Sequence, residues 1–315
     1  MSTMKAIVIE NYGGADVLQY KDVQVPSIKE SEVLVRIHAA SVNPIDWKIR
    51  EGLAKSFIPV SFPFIPGCDF SGTIERVGSA ITQYKIGDEV YGFVDQVRSG
   101  AYAQYVAAKE SEIALKPKLL DHVAASAIPV VTLAAWQSLF DLAKLESKQK
   151  ILIHAAAGAV GSMAVQLAKW KNAYVFGTAS TEEQDFLREL CVDEPIDYKI
   201  NKFEDIAKEV DIVFDTVGGE TRARSWKTLK KGGILVTAVG PAPSDAEANQ
   251  NGVRQSSVHT SPNSKELSEI AHLIDLRKLK TKVATVFTLE NAPQAQALSQ
   301  KGGARGKIVI EILKK

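Results

Sequence analysis

The sequence predicts an α/β chain organised on a doubly wound parallel sheet and preceded by a compact all-β region. The stretch 151–168 runs from an apolar strand through a small-residue turn into an amphipathic helix. Downstream, strand-like runs at 175–177, 210–215 and 232–239 alternate with helical stretches such as 181–190. That alternation is the pattern of a parallel sheet with helices on both faces. Upstream, residues 5 to about 120 hold short strand-like pieces separated by turn signals such as Gly13-Gly14, Pro66-Gly67 and Gly87-Asp88.

Taken in order, strands are expected at 5–9, 32–39, 72–77, 89–93 and 103–107. Residues 33–39 alternate as a half-buried strand does. Lys116-Pro117 leads into an alanine-rich stretch, 119–142, helical on either side of Pro129. Strand 151–153 then enters the turn 155–161. From Ser162 a helix carries Met163, Val165, Leu167 and Ala168 on one face.

Ala156, Gly158 and Gly161 stand where G-x-G-x-x-G has its glycines, so the first position requires a negative φ. Such a turn presents free N–H groups and the positive end of a helix dipole to a pyrophosphate. Ala156, Ala157, Gly158, Ala159, Val160 and Gly161 are the residues in question. The plain alternative is a ligand-free turn between a buried strand and helix; the alternation that follows favours the ligand. Thr216-Val-Gly-Gly219 and Val239-Gly240-Pro241 follow apolar strands and suit a crevice at the carboxyl edge of the sheet. The stretch 241–257 reads as a loop. Residues 264–276 read as a helix with Ser264 as N-cap, and 283–289 and 307–312 as strands.

A chain of 315 residues allows two domains, and 45% hydrophobic with 24% charged residues supports ordinary buried cores. A net charge of +1 favours neither a polyanion nor a membrane surface. Cys68 and Cys191 are too few for a disulfide framework and lack metal-ligand spacing, so a reduced cytoplasmic setting is expected. The N-terminus lacks a signal-peptide core and reads as a first strand. Two uncharged eighteen-residue runs, 123–140 and 151–168, are rich in Ala, Ser and Gly and read as globular.

Several motifs together resemble a zinc-free medium-chain dehydrogenase/reductase of the quinone oxidoreductase (zeta-crystallin-like) branch, over nearly the whole chain. They are Ala40-Ser-Val-Asn-Pro-Ile-Asp-Trp-Lys-Ile-Arg-Glu-Gly52, Pro66-Gly-Cys-Asp-Phe-Ser-Gly72, Gly87-Asp-Glu-Val-Tyr-Gly92 and Gly100-Ala-Tyr-Ala-Gln-Tyr105. Ile128-Pro-Val-Val-Thr-Leu-Ala-Ala-Trp136, His154-Ala-Ala-Ala-Gly-Ala-Val-Gly161 and Arg305-Gly-Lys-Ile-Val309 complete the series. The resemblance implies a GroES-like β-barrel catalytic domain, 1–123 completed by 281–315, with a Rossmann NAD(P)-binding domain, 124–280, between its parts.

Alcohol dehydrogenases of that family hold zinc through Cys, His and Cys, positions that align near Asn43, Cys68 and Val130 here. One thiol in three cannot build the site, so no zinc is expected. Without a Lewis acid the resemblance implies hydride donation to an acceptor that is already electrophilic, a quinone or an α,β-unsaturated carbonyl. Asn43, of the Asn-Pro-x-Asp motif, faces nicotinamide and substrate in the family and would orient a carbonyl. Asp46 belongs to the same motif, and both residues could equally cap the turn around Pro44. Lys48 is a proton-donor candidate that could equally be a solvated charge, with water as the donor.

For the cofactor, the position twenty residues beyond Gly158 is Thr178, near Ser180, with no carboxylate to repel a 2′-phosphate. The lysine that relatives place soon after this serine is Gln184 here. Tyr198-Lys199 resembles the pair flanking the adenosine end. NADPH is therefore expected, with NADH possible. The family's threonine before Ala-Trp is Ala134, so that contact near the nicotinamide is either lost or supplied by Thr132. Val239, Gly240 and Lys307 complete the expected cofactor set. The resemblance also implies a homodimer. Competing readings are an enoyl-thioester reductase and a non-catalytic NADPH-binding sensor or RNA-binding protein, the latter suggested by Arg277-Lys-Leu-Lys-Thr-Lys282. Basic residues at a helix C-terminus explain that run more simply, so nucleic acid is not expected.

Overall fold

The computed structural model describes residues 2–98 and 100–313. It divides into two units: residues up to Val130 with those from Pro262 onward, and Val131–Ser261.

The first unit opens with β1 (Thr3–Val8) and β2 (Gln19–Gln24), an antiparallel pair. β3 (Glu32–Val42) is its central strand and pairs antiparallel with β4 (Asp69–Val77) and, at its first half, with β6 (Tyr105–Lys109). β5 (Glu89–Phe93) joins β4, and β7 (Ile113–Leu115) joins β5. Arg36 is the exposed residue of β3; both its faces are otherwise largely covered, so the half-buried alternation expected of it gives way to burial on two sides. Between β3 and β4 lies the helix Pro44–Arg50. Its start is explained locally: Asn43 is extended, Pro44 sets the first helical φ, and the Asp46 carboxylate accepts the Asn43 N–H at 2.8 Å.

The second unit holds β8 (Lys150–Ile153), β9 (Tyr174–Ala179), β10 (Glu194–Asp197), β11 (Val210–Asp215), β12 (Leu229–Thr237) and β13 (Arg254–Ser257). They form one parallel sheet in the order β10-β9-β8-β11-β12-β13, the arrangement of a doubly wound dinucleotide-binding sheet. The inner strands are near-continuous buried runs, as a parallel sheet with both faces covered requires. Leu152, Phe176, Val213, Leu235 and Trp226 are among the residues of its core. Because all six strands run one way, the ends at Ile153, Ala179, Asp197, Asp215, Thr237 and Ser257 share one edge.

The chain then returns to the first unit. β14 (Val283–Thr288) and β15 (Lys307–Glu311) pair in parallel, and β15 pairs antiparallel with β3. Ile37, Phe70, Val106 and Ile310 pack in one core there.

Further details differ from the sequence reading: the short strands β2 and β7 were not anticipated. The stretch 241–257 is not a loop: it holds the helix Asp245–Gln250, capped by Ser244, and β13. Strand β10, with Pro195 and two acids, was not anticipated. The helix Ser264–Asp275 is capped by Asn263, whose side chain accepts from the Lys265 and Glu266 N–H groups, and not by Ser264. That helix also falls in the first unit, where the Tyr91 hydroxyl donates to the Leu267 carbonyl at 2.6 Å. The two divisions therefore lie at 130/131 and 261/262, against the expected 123/124 and 280/281. Among the described residues no helix is long and apolar enough to cross a membrane. The basic run from Arg277 follows the end of that same helix.

Candidate active site

The turn after β8 is built by backbone and small side chains. Ala155 is left-handed, at φ 47°, and Ala156 is not among the positive-φ residues, so the alanine in place of the first glycine is conformationally free. Its methyl group is accommodated by Gly177 on β9, where an added Cβ would lie 3.1 Å from the Ala156 Cβ. Gly161 allows the helix Ala159–Trp170 to approach. A Cβ there would lie 2.2 Å from the Ala155 carbonyl oxygen and 2.8 Å from the Ala156 Cα. At the helix start Gly158 is extended and offers no side-chain cap, so Ala159, Val160 and Gly161 present N–H groups without helical partners. Gly158 is exposed, whereas Ala156 and Ala157 are buried. An uncapped helix N-terminus beside a closely packed turn fits the pyrophosphate of a dinucleotide.

A hydrogen-bond chain holds the left-handed Ala155 in place. The Ser225 hydroxyl donates to the Thr221 carbonyl at 2.7 Å, so it accepts from His154 Nε2 at 2.8 Å. That leaves Nδ1 as an acceptor for the Thr178 hydroxyl at 3.2 Å, and the Thr178 oxygen in turn accepts the Ala155 N–H at 3.2 Å. Burial depresses His154 to about 4, consistent with the neutral tautomer this chain demands. Thr178, expected to meet the cofactor's 2′-phosphate, is thus buried with its hydroxyl occupied: it shapes the turn.

Ser180, Tyr198 and Lys199 lie beyond the ends of the paired strands β9 and β10, where Asp197 stands opposite Ala179. Tyr198 and Lys199 are exposed. The Lys199 ammonium is engaged by both carboxylate oxygens of Glu182, at 2.9 and 3.0 Å. That bond holds Glu182 down at about 2. Gln184 points its amide inward to the Ala179 carbonyl at 3.2 Å, so it does not replace the missing lysine.

At the ends of β11 and β12, sequence reasoning missed a clasp. Asp215 accepts the N–H groups of Val217 (3.0 Å) and Gly218 (2.7 Å), the Thr237 hydroxyl (2.9 Å) and Arg222 Nε (2.6 Å). Burial would raise the Asp215 carboxyl, but these donors more than offset it and hold it low. Arg222 also donates to the Val239 and Pro241 carbonyls, so it fixes the turn carrying Val239 and Gly240, which is left-handed at φ 66°. Thr132, in the same unit, is fully buried, and among the described residues its hydroxyl has no partner.

In the first unit, residues far apart in sequence meet in a buried polar cluster. Asn43 is 2% exposed, Asp69 0% and Lys307 5%. The Lys307 ammonium donates to Asn43 Oδ1 at 2.6 Å and to the Val42 carbonyl at 3.2 Å, and stands 3.6 Å from Asp69 Oδ2. Asp69 Oδ2 accepts Asn43 Nδ2 at 2.9 Å and the Ser41 hydroxyl at 2.8 Å, and its Oδ1 accepts the Val130 N–H at 2.9 Å. Burial nevertheless raises Asp69. Asp46 accepts the Tyr102 hydroxyl at 2.8 Å as well as the Asn43 N–H. Burial pushes Asp46 up to about 7 against both donors. Asn43 and Asp46 are therefore brought together. The Lys48 ammonium lies 5.6 Å from the centre of the Trp47 ring. Lys307, expected at the cofactor, turns its ammonium into this cluster.

The donor set does not fit zinc. Asn43 Oδ1 already holds an ammonium, burial pushes the Cys68 thiol well above its ordinary range, and the third position is the apolar Val130. Among the described residues no group of three or more His, Cys, Asp or Glu could hold a metal ion.

Two family profiles match the chain: "Alcohol dehydrogenase GroES-like domain" over residues 29–118 and "Zinc-binding dehydrogenase" over residues 190–310. The chain is similar to a chloroplastic quinone-oxidoreductase homolog of Spinacia oleracea, 32% identical over 98% of both chains. It is 36% identical to the 2-methylene-furan-3-one reductase of Solanum lycopersicum, over 98% of this chain and 79% of that one. Among solved structures it is similar to the quinone oxidoreductase from Coxiella burnetii, with a TM-score of 0.90 and 33% identity over 99% of this chain and 100% of the other. The chain belongs to the medium-chain dehydrogenase/reductase family, in its quinone oxidoreductase branch.

Proposed function

We propose that the chain is an NADPH-dependent reductase of quinones and α,β-unsaturated carbonyls that works without zinc. The observation that carries this is the uncapped N-terminus of the helix Ala159–Trp170, closely packed through Gly161 at the carboxyl edge of a doubly wound sheet. The bound reduced nicotinamide supplies the hydride. In this reading the N–H groups of 159–161 hold the pyrophosphate. Ser180 and Lys199 receive the 2′-phosphate, Tyr198 flanks the adenine, and Val239, Gly240 and the unpartnered Thr132 hydroxyl serve the nicotinamide end. Asn43 donates to the acceptor's carbonyl oxygen, and a hydrogen bond that strengthens as charge develops there favours the transition state. Water supplies the proton, because the Lys48 ammonium lies over Trp47 and the Asp46 carboxylate is occupied by Asn43 and Tyr102. The relatives named as quinone and furanone reductases support an acceptor that needs no metal.

The test is fluorescence titration with NADPH and NADH, then loss of 340 nm absorbance with 9,10-phenanthrenequinone, an alkyl vinyl ketone and crotonyl-CoA. Tight NADPH binding with oxidation by the quinone or ketone is expected. Turnover confined to crotonyl-CoA would make the chain an enoyl-thioester reductase, and tight binding without turnover a sensor. A homodimer is assigned to the β13 edge, where Arg254–Ser257 has a strand neighbour on one side; light scattering on the eluted protein checks it. The cytoplasmic assignment rests on the two free cysteines.

A further inference from the structure

The two ends of an asparagine amide have the same shape, so partners decide which way it faces. Around Asn43 they leave no choice. Oδ1 meets the Lys307 ammonium at 2.6 Å, a group that can only donate. Nδ2 meets Asp69 Oδ2 at 2.9 Å, in a carboxylate that also accepts the Ser41 hydroxyl and the Val130 N–H. Rotating the amide by half a turn would set N–H against N–H at Lys307 and oxygen against oxygen at Asp69. The amide is therefore locked with its nitrogen on the Asp69 and Cys68 side. One of its two N–H bonds is taken by Asp69. The other has only the Cys68 sulfur at 3.7 Å, a weak acceptor. A cation on Oδ1 also draws electron density from the amide and strengthens those N–H donors.

We propose that Lys307 is a positioning residue that fixes and polarises Asn43, so that the amide presents an N–H to the acceptor's oxygen. Asp69 is the counterpart that claims the first N–H and leaves the second for the substrate. The inference rests on the reading that Asn43 donates to the acceptor carbonyl. It assigns Lys307 an action through Asn43 and no contact with the cofactor.

The experiment measures kcat with an alkyl vinyl ketone and NADPH affinity by fluorescence titration, for Lys307→Met, Lys307→Arg, Asn43→Ala and the Asn43→Ala/Lys307→Met pair. Lys307→Met is expected to lower kcat by about tenfold or more while NADPH affinity stays within about twofold. Lys307→Arg, which keeps a cationic donor, recovers most of the loss. In the Asn43→Ala background Lys307→Met adds nothing further, since its only route is gone. If Lys307→Met alone fails to fold, Asp69→Asn/Lys307→Met removes both buried charges; that protein is expected to fold and to keep the kcat defect. Losses that multiply in the pair, full kcat in a folded Lys307→Met or Asp69→Asn/Lys307→Met protein, or weakened NADPH binding with kcat intact would each overturn the proposal. Full kcat in Asn43→Ala would instead remove the reading of Asn43 itself, and the proposal with it.

Discussion

The turn at 154–161 and the cluster around Asn43 do their work by opposite means. The turn offers backbone N–H groups, and the side chains around it are small or occupied: Ala156 fits against Gly177, and His154, Thr178 and Ser225 hold Ala155 left-handed. The cluster offers one side-chain amide whose orientation depends on charged residues buried around it. A backbone site is sensitive to volume, whereas a side-chain site is sensitive to charge. Substitutions and pH can separate the two.

The largest effect on cofactor binding is expected from volume in the turn. Gly161→Val places atoms where even a Cβ would lie 2.2 Å from a backbone oxygen, so the helix must move. Overpacking of this kind costs about 1–3 kcal/mol or more, and NADPH binding should fall below detection in the fluorescence titration. Gly158→Ala meets only the Ala155 oxygen at 3.1 Å and should bind NADPH nearly as the parent does. Equal loss in both variants would remove the distinction between the two glycines.

The largest effect on stability is expected from charge in the cluster. Lys307→Met leaves Asp69 buried beside an unpaired Asn43 oxygen, and breaking a buried pair in this way costs about 3–5 kcal/mol. Urea denaturation should show that loss, and Asp69→Asn in the same protein should restore most of it.

The two regions should also respond to pH in opposite senses. Asp46 has a folded value of about 7, above its ordinary 3.8, so the folded chain binds its proton more tightly than the unfolded chain does. Its contribution is complete below about pH 4 and is lost as pH rises through 7, by an amount on the order of a few kcal/mol. His154, held at about 4 against an ordinary 6.5, works the other way: its contribution is present above 6.5 and lost as pH falls through 4. Both act between about pH 4 and 7 with opposite signs, so across that window melting temperature should tilt upward with pH in Asp46→Asn and downward in His154→Gln, relative to the parent.

The smallest effect lies at the exposed end of the cofactor. Glu182→Gln removes the carboxylate that engages Lys199 and should tighten NADPH binding by about two- to fivefold, with NADH unchanged. Tightening of both cofactors alike would place the 2′-phosphate elsewhere.

Legibility in the sequence followed the same division. The inner strands β8, β9, β11 and β12 were readable because a strand buried on both faces must be an apolar run. The two strands of that sheet that escaped, Glu194–Asp197 and Arg254–Ser257, are its edges. An edge strand tolerates proline and polar residues, so no apolar run marks it. The Asp215–Arg222 clasp escaped because it looks like ordinary surface charge until the fold buries it.

By itself the sequence determined the alternation of strands and helices, the small-residue turn and the family, since each is written in neighbouring residues whose spacing dictates local geometry. Which atoms Asn43 faces was decided only by the tertiary structure. Lys307 lies 264 residues away and reaches Asn43 because β15 pairs with β3, and Tyr102 reaches Asp46 across 56 residues. A hydrogen bond is directional and short, so its partners are set by where strands are registered and not by the chain position that each occupies.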